Sequence, residues 1–180
     1  MLKTIILVLT ICFVGLSYNT YAQDAGAQAQ QLASALNKTK YKKKENKYVK
    51  VEIYIDIKNE PVTKSPAEYT GIYDSDGSRL DLQVSGDGLA TGSGYDAFAW
   101  DDNSPKTKFT LKDARVQGAV LTGTKVFENG TSEKFEAVFV NRTVSAGTNA
   151  DHIEDRETSF GIGFIRTNKE STNRMFLERK

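Results

Sequence analysis

The chain's single histidine, His152, lies in a dense run of charged residues from Asp151 to Glu157. Imidazole titrates near neutral pH and binds metal ions, so His152 is the first candidate for acid–base or metal chemistry. A zinc site needs further His or Cys ligands, and the single cysteine, Cys12, lies far away in an apolar run. The sequence therefore favours a solvated polar loop over residues 145–157, and it predicts no metal site and no cofactor.

Two groups of carboxylates are the next candidates. Asp74-Ser75-Asp76-Gly77 begins like a calcium-binding loop, but Ser85 occupies the twelfth position, where that loop has its closing glutamate. The four residues are equally typical of a tight turn, which is our interpretation. Asp101 and Asp102 could supply a carboxylate pair for glycoside hydrolysis, although no spacing selects a pair. A hydrolase is thus an alternative, and the sequence favours a protein that is not an enzyme.

Aromatic residues and glycines are concentrated in the middle of the chain. Gly92 and Gly94 fall on one face of a predicted strand, where the missing side chains leave room for a ligand or a closely packed neighbour. Aromatic rings offer apolar area with a polar edge, which suits lipophilic molecules or glycans. Packing in the core is the competing interpretation. The predicted ligand-binding residues are Tyr73, Tyr95, Phe98 and Trp100.

Positive charge is concentrated near the start of the chain, although the whole chain has 24 Lys and Arg against 23 Asp and Glu. A basic segment of this kind can hold a protein to an anionic surface, although a solvated linker is the favoured interpretation. An exported protein meets little nucleic acid, so an anionic envelope or matrix surface is the expected partner. The lysines that would contact it are Lys38, Lys40, Lys42, Lys43 and Lys44.

Met1–Ala22 have the three-part pattern of a secretory signal peptide. Lys3 precedes an apolar run from Ile5 to Leu16, and cleavage is predicted after Ala22. About a dozen helical residues rise only ~18 Å, which is too short for a hydrocarbon core of ~30 Å. We therefore expect a secreted or periplasmic protein that keeps neither Cys12 nor a transmembrane segment after cleavage.

The rest of the chain divides into three predicted parts. Residues 23–46 form a basic, mobile leader, in which residues 27–36 have helical spacing but too few large side chains for a stable isolated helix. A β domain follows over residues 47–167. Residues 168–180 form a polar C-terminal tail.

Strict alternation of apolar and polar residues over Tyr48–Lys58 is the clearest strand signal, and similar segments follow between short turns. Asn129-Gly130 predicts a hairpin, and a slip of the alternation near Asp113 predicts a β-bulge. The last strand is expected over residues 158–166. Connections this short require antiparallel pairing. We predict an all-β antiparallel meander of about eight strands that closes as an up-and-down (lipocalin-like) barrel, or alternatively a two-sheet β-sandwich.

The segment Tyr69-Thr70-Gly71-Ile72-Tyr73, which opens the meander, resembles the Gly-x-Trp opening strand of lipocalin-like barrels. Five residues carry no functional residue across. The leading hypothesis is an exported β domain that binds a lipophilic molecule or glycan without catalysis, through an aromatic- and glycine-lined surface. The alternatives are an envelope or matrix interaction protein held by its basic leader, and a hydrolase with paired carboxylates.

Overall fold

Ten β-strands make up most of the chain in the computed structural model, which describes residues 24–45, 50–97, 106–167 and 172–180. One α-helix (α1, residues 24–36) and one 3-10 helix (Pro66–Tyr69) accompany them. The strands are β1 (Lys38–Glu45), β2 (Lys50–Pro61), β3 (Gly71–Ser75), β4 (Ser78–Val84), β5 (Leu89–Ala97), β6 (Lys106–Gln117), β7 (Val120–Phe127), β8 (Ser132–Asn149), β9 (His152–Thr167) and β10 (Thr172–Arg179). The predicted signal peptide, Met1–Ala22, lies outside the described residues.

Eight of these strands form a closed ring. From β3 to β10 each strand pairs antiparallel with the next, and β10 pairs back with β3 through Glu178↔Asp74 and Arg179↔Tyr73. This hydrogen-bonded closure confirms the predicted all-β antiparallel fold and gives it a barrel-like form. In a closed ring no strand of the barrel is left with an unpaired edge.

The predicted turns and the bulge are confirmed. Asn129 and Gly130 join β7 to β8, with Gly130 at φ +82° and the Asn129 side chain accepting a hydrogen bond of 3.0 Å from the Thr131 amide. In β6 the register to β7 shifts between Lys112 and Arg115, and Asp113 between them has φ +50°. An extra residue in one strand forces this left-handed conformation and reverses the inward and outward positions that follow.

Two segments that lacked a strand pattern are strands in the structure. The expected loop over residues 145–157 is instead the tip of the β8–β9 hairpin, whose turn is confined to Ala150 and Asp151. Residues 168–180, expected to be a polar tail, contain β10, which closes the ring. The tip of the hairpin projects beyond the barrel, so water reaches both faces and no alternation marks the strand.

Strands β1 and β2 extend the sheet away from the ring. β2 pairs with residues 140–147 of β8, on the side where β7 pairs with residues 132–138. We call β1, β2, residues 140–149 of β8 and residues 152–160 of β9 the β wing. The segment predicted as a leader thus includes α1 and β1, and its mobility remains a prediction.

The core lies inside the barrel, and α1 packs on its outer surface. Seventeen buried residues, among them Leu80, Leu121 and Phe139, form the interior. Ala29, Ala33 and Leu36 of α1 are buried against Ala119, Val120, Val138 and Val140 of the barrel wall. The barrel therefore supplies the burial that α1 could not obtain as an isolated helix. Among the described residues, no helix has the length and apolarity needed to cross a membrane.

Candidate ligand site inside the barrel

A buried ion pair crosses the interior of the barrel at one end. Lys125 Nζ lies 2.7 Å from Asp96 Oδ2, and the two side chains are only 6% and 10% exposed. Withdrawing two charges from water costs several kcal/mol per ion, of the order that their mutual attraction returns. Burial of such a pair is therefore poorly explained by a contribution to stability, and its position points to a function.

Asp96 lies on β5 and Lys125 on β7, and the alternation of side chains along each strand directs both of them into the barrel. Along β7, Leu121, Gly123, Lys125 and Phe127 occupy inward positions, and along β5 Asp96 follows Gly92 and Gly94 on the inward face. Because β5 and β7 run in the same direction around the ring, their C-terminal ends meet at one end of the barrel. Ser78 and Thr107 are the cross-strand partners of Asp96, so the three side chains lie on the same face of the sheet.

Aromatic rings surround the ammonium group of Lys125. Its Nζ lies 4.5 Å from the ring centroid of Phe109, 4.6 Å from that of Phe164 and 6.0 Å from that of Phe135. The negative face of an aromatic ring attracts a cation within about 6 Å, and most strongly where water is excluded. These rings fix the ammonium group beside Asp96 and give this end of the interior an apolar wall.

The carboxylate of Asp96 is only half satisfied. Its Oδ2 accepts the hydrogen bond from Lys125, whereas its buried Oδ1 has no hydrogen-bond partner among the described residues. A buried acceptor without a donor costs about 1–3 kcal/mol, and more when it is charged. Oδ1 is therefore a position at which a donor from a bound molecule would gain free energy.

The opposite end of the barrel is closed by two tyrosines. Tyr69, in the 3-10 helix, donates a hydrogen bond of 2.7 Å to the carbonyl of Val62 and stacks on Phe139 with a centroid distance of 4.0 Å. The Tyr69 hydroxyl also lies 3.0 Å from the carbonyl of Gly118 in the β6–β7 turn. Tyr73 is fully buried beside them. Every hydroxyl here has a partner, so this end is a plug.

The glycines of β5 serve close packing. A Cβ at Gly94 would collide with the carbonyl oxygen of Arg79 and meet Phe109 Cζ at 3.0 Å. One at Gly92 would lie 2.7 Å from the Asp81 carbonyl oxygen and 3.2 Å from side-chain carbons of Leu80 and Leu111. Protein atoms thus occupy the space that these glycines leave, and β4 and β5 approach closely as a result.

The residues predicted from sequence do not form one site. Tyr73 lies in the plug, and Tyr95 lies on the outer face of β5, where it lines an open groove of about 670 Å³ with Arg79, Asp81 and Lys108. Phe98 and Trp100 lie outside the described residues, as do Asp101 and Asp102. His152 is exposed at the start of β9, and the described residues contain no cluster of three or more His, Cys, Asp or Glu suited to a metal.

Comparison with known proteins adds no relative. No protein-family model, curated protein or solved structure matches the chain.

Sequence reasoning missed both members of the ion pair. Lys125 carries the stronger signal, because it stands at an inward position of a strand whose other inward residues are apolar or glycine. A charged residue in phase with the apolar face of a strand marks a buried charge, which requires a partner. The sequence could not identify Asp96 as the partner of Lys125, because the contact between the two side chains depends on the closed ring of strands.

Proposed function

We propose that this protein is an exported, non-catalytic binding protein for a small, mainly apolar molecule that carries a hydroxyl or amino group. The observation that carries the proposal is the buried, unpartnered Oδ1 of Asp96 beside Lys125. The interior of an eight-stranded barrel is just wide enough for its side chains to fill or for one small ligand, and the mouths of barrels are common ligand sites.

The chemistry of the pair selects the ligand class. Oδ1 of a carboxylate accepts hydrogen bonds and donates none, so the ligand must supply an O–H or N–H group. The rings of Phe109, Phe135 and Phe164 favour an apolar body next to that group. A ligand with its own carboxylate would bring a second negative charge to Asp96, which is unfavourable in a low dielectric.

Calorimetric titration with four molecules that share one alkyl chain tests the proposal. Octanol and octylamine can donate to Asp96, octyl methyl ether can only accept, and octanoate is anionic. We expect the two donors to bind at least tenfold more tightly than the ether and octanoate, because only they satisfy Oδ1.

Two variants make the titration specific to the site. Asp96→Asn replaces the charged acceptor with a neutral amide, and the preference for donors over the ether should then fall to within about threefold. Asp81→Asn changes a carboxylate on the outer face of β4 that pairs with Arg79 at 2.9 Å, and it should leave the preference unchanged. Equal binding of all four molecules to the wild-type protein would contradict the proposal.

A further inference from the structure

One face of the β wing has charges of opposite sign at its two edges. Residues paired across an antiparallel ladder lie on the same face of the sheet. Val51, Ile53, Ile55 and Ile57 of β2 pair with Lys44, Lys42, Lys40 and Lys38 of β1. On the other side, Ile57 and Ile55 pair with Val144 and Ala146 of β8, which in turn pair with Glu157 and Asp155 of β9.

This face, which we call the wing face, therefore has a basic edge, an aliphatic centre and an acidic edge. Val51 is 38% exposed and Ile53 42%, and the four lysines and both acidic residues are exposed as well. Exposed β-branched residues in a row are unusual on a surface that meets only water, and they mark an interaction site.

The opposite face of the wing has its own partners. There Lys43 Nζ lies 3.5 Å from Glu52, and Thr39 donates a hydrogen bond of 2.7 Å to Asp56. Lys43, one of the lysines predicted to meet an anionic surface, thus points away from the other four. Among the described residues of the wing, the exposed aliphatic side chains, Val51 and Ile53, lie on the wing face, and the opposite face exposes Tyr41.

Closer to the barrel, the wing face continues into a surface of β8 that α1 covers. Val138 and Val140 are outward residues of β8 and are buried under α1. The helix ends at residue 36, and the Asn37 side chain then accepts a hydrogen bond of 3.1 Å from Asn59 on β2. Beyond that row, Ile57 and Ile55 are half-buried, and Ile53 and Val51 are exposed.

We infer that a second copy of this chain packs on the wing face, sheet against sheet. A two-fold axis parallel to the strands places β1 of each copy over β9 of the other and β2 over β8. Each set of residues paired across the four strands then faces the same set in the other copy. Lys40 therefore meets Asp155, and Lys38 meets Glu157, twice per dimer. Sheets pack face to face at about 10 Å, with the aliphatic side chains between them.

An anionic membrane is the competing occupant of the same face, since it would attract the four lysines. It would also lie against Asp155 and Glu157, which repel it. A second copy places an opposite charge against both the basic and the acidic edge, and for that reason we favour it.

Sedimentation equilibrium of charge-reversed variants tests the arrangement. Lys40→Glu and Asp155→Lys each place like charges opposite one another at two points of the dimer, so each should weaken dimerisation at least tenfold. Mixed in equal amounts, the two variants should form a heterodimer of about wild-type affinity, because every contact then joins opposite charges. Lys58→Glu, on the opposite face, should leave dimerisation unchanged.

The outcomes separate the alternatives. All the variants change exposed residues. Matching circular dichroism, and matching thermal midpoints at concentrations where the wild type is monomeric, therefore exclude misfolding. A wild-type protein that stays monomeric throughout the concentration series overturns the inference, as do variants that dimerise normally or a mixture that fails to recover. A monomer that binds phosphatidylglycerol vesicles, less after Lys40→Glu and more after Asp155→Lys, assigns the face to a membrane instead.

Discussion

The Tyr73 hydroxyl donates a hydrogen bond of 2.6 Å to the backbone carbonyl of Tyr69, four residues earlier in the chain. This bond joins the first strand of the ring to the 3-10 helix that precedes it. Arg179, near the end of β10, completes the junction by donating from Nη2 to the carbonyl of Thr70 at 2.8 Å. One end of the barrel is therefore held by groups from both sides of the ring closure.

Burial of Tyr73 predicts a loss of stability at high pH. Burial raises the pKa of Tyr73 to about 12, despite the opposing effect of Arg179. The folded state holds this proton more tightly than the unfolded state, whose pKa is near 10. The contribution of Tyr73 to stability is therefore constant below pH 10 and is lost between pH 10 and pH 12. The full shift corresponds to about 2–3 kcal/mol. Denaturant titrations of the wild type and Tyr73→Phe should show a shallower fall in the variant, and parallel curves would contradict this account.

The Asp96–Lys125 pair predicts strong coupling between its members. Lys125→Met or Asp96→Leu alone leaves a buried group without its partner and should cost about 3–5 kcal/mol. Asp96→Leu combined with Lys125→Met removes both charges, and the cost should fall below that of either single change. Urea unfolding of the four proteins measures the cycle. Single changes that cost less than about 1 kcal/mol would show that the pair is not buried as described.

Two glycines that differ in their surroundings test how α1 is attached. A Cβ at Gly163 would collide with Leu36 of α1, whereas one at Gly26 would meet nothing within 4 Å. Gly163→Ala should therefore destabilise the protein by about 1–3 kcal/mol. Gly26→Ala should stabilise it by about 0.5–1 kcal/mol, because alanine favours the helix. Chemical denaturation measures both, and equal effects would contradict the packing of α1 on β9.

Export predicts a defined new N-terminus. If Met1–Ala22 are a signal peptide, protein recovered outside the cytoplasm should begin at Gln23. N-terminal sequencing or intact mass of the exported protein measures this. A full-length chain that stays in the cytoplasm of its native host would contradict the prediction.

The sequence predicted the parts of the fold whose residues alternate between core and solvent. β2, β4 and the β7–β8 hairpin could be read directly, and even the bulge at Asp113 was visible as a slip of phase. β10 was missed because its inward residues, Met175 and Leu177, are too few to establish a period. The tip of the β8–β9 hairpin was missed because neither of its faces enters the barrel core.

The candidate site was harder to predict from the sequence than the fold. Aromatic residues were chosen by type, yet the structure places Tyr73 in the plug and Tyr95 on the outer surface. Charge at an inward position would have been the better criterion, since it selects Lys125 from the strand pattern alone. Its partner is twenty-nine residues away in sequence, and only the ring brings them within 2.7 Å.

The most direct test of the proposed function is a crystal structure of the protein with octanol or octylamine. We predict that the hydroxyl or amino group lies within hydrogen-bond distance of Asp96 Oδ1, about 2.5–3.2 Å, with the alkyl chain against Phe109 and Phe164. A ligand found only in the outer groove beside Tyr95, or a crystal grown with saturating ligand that contains none, would contradict it.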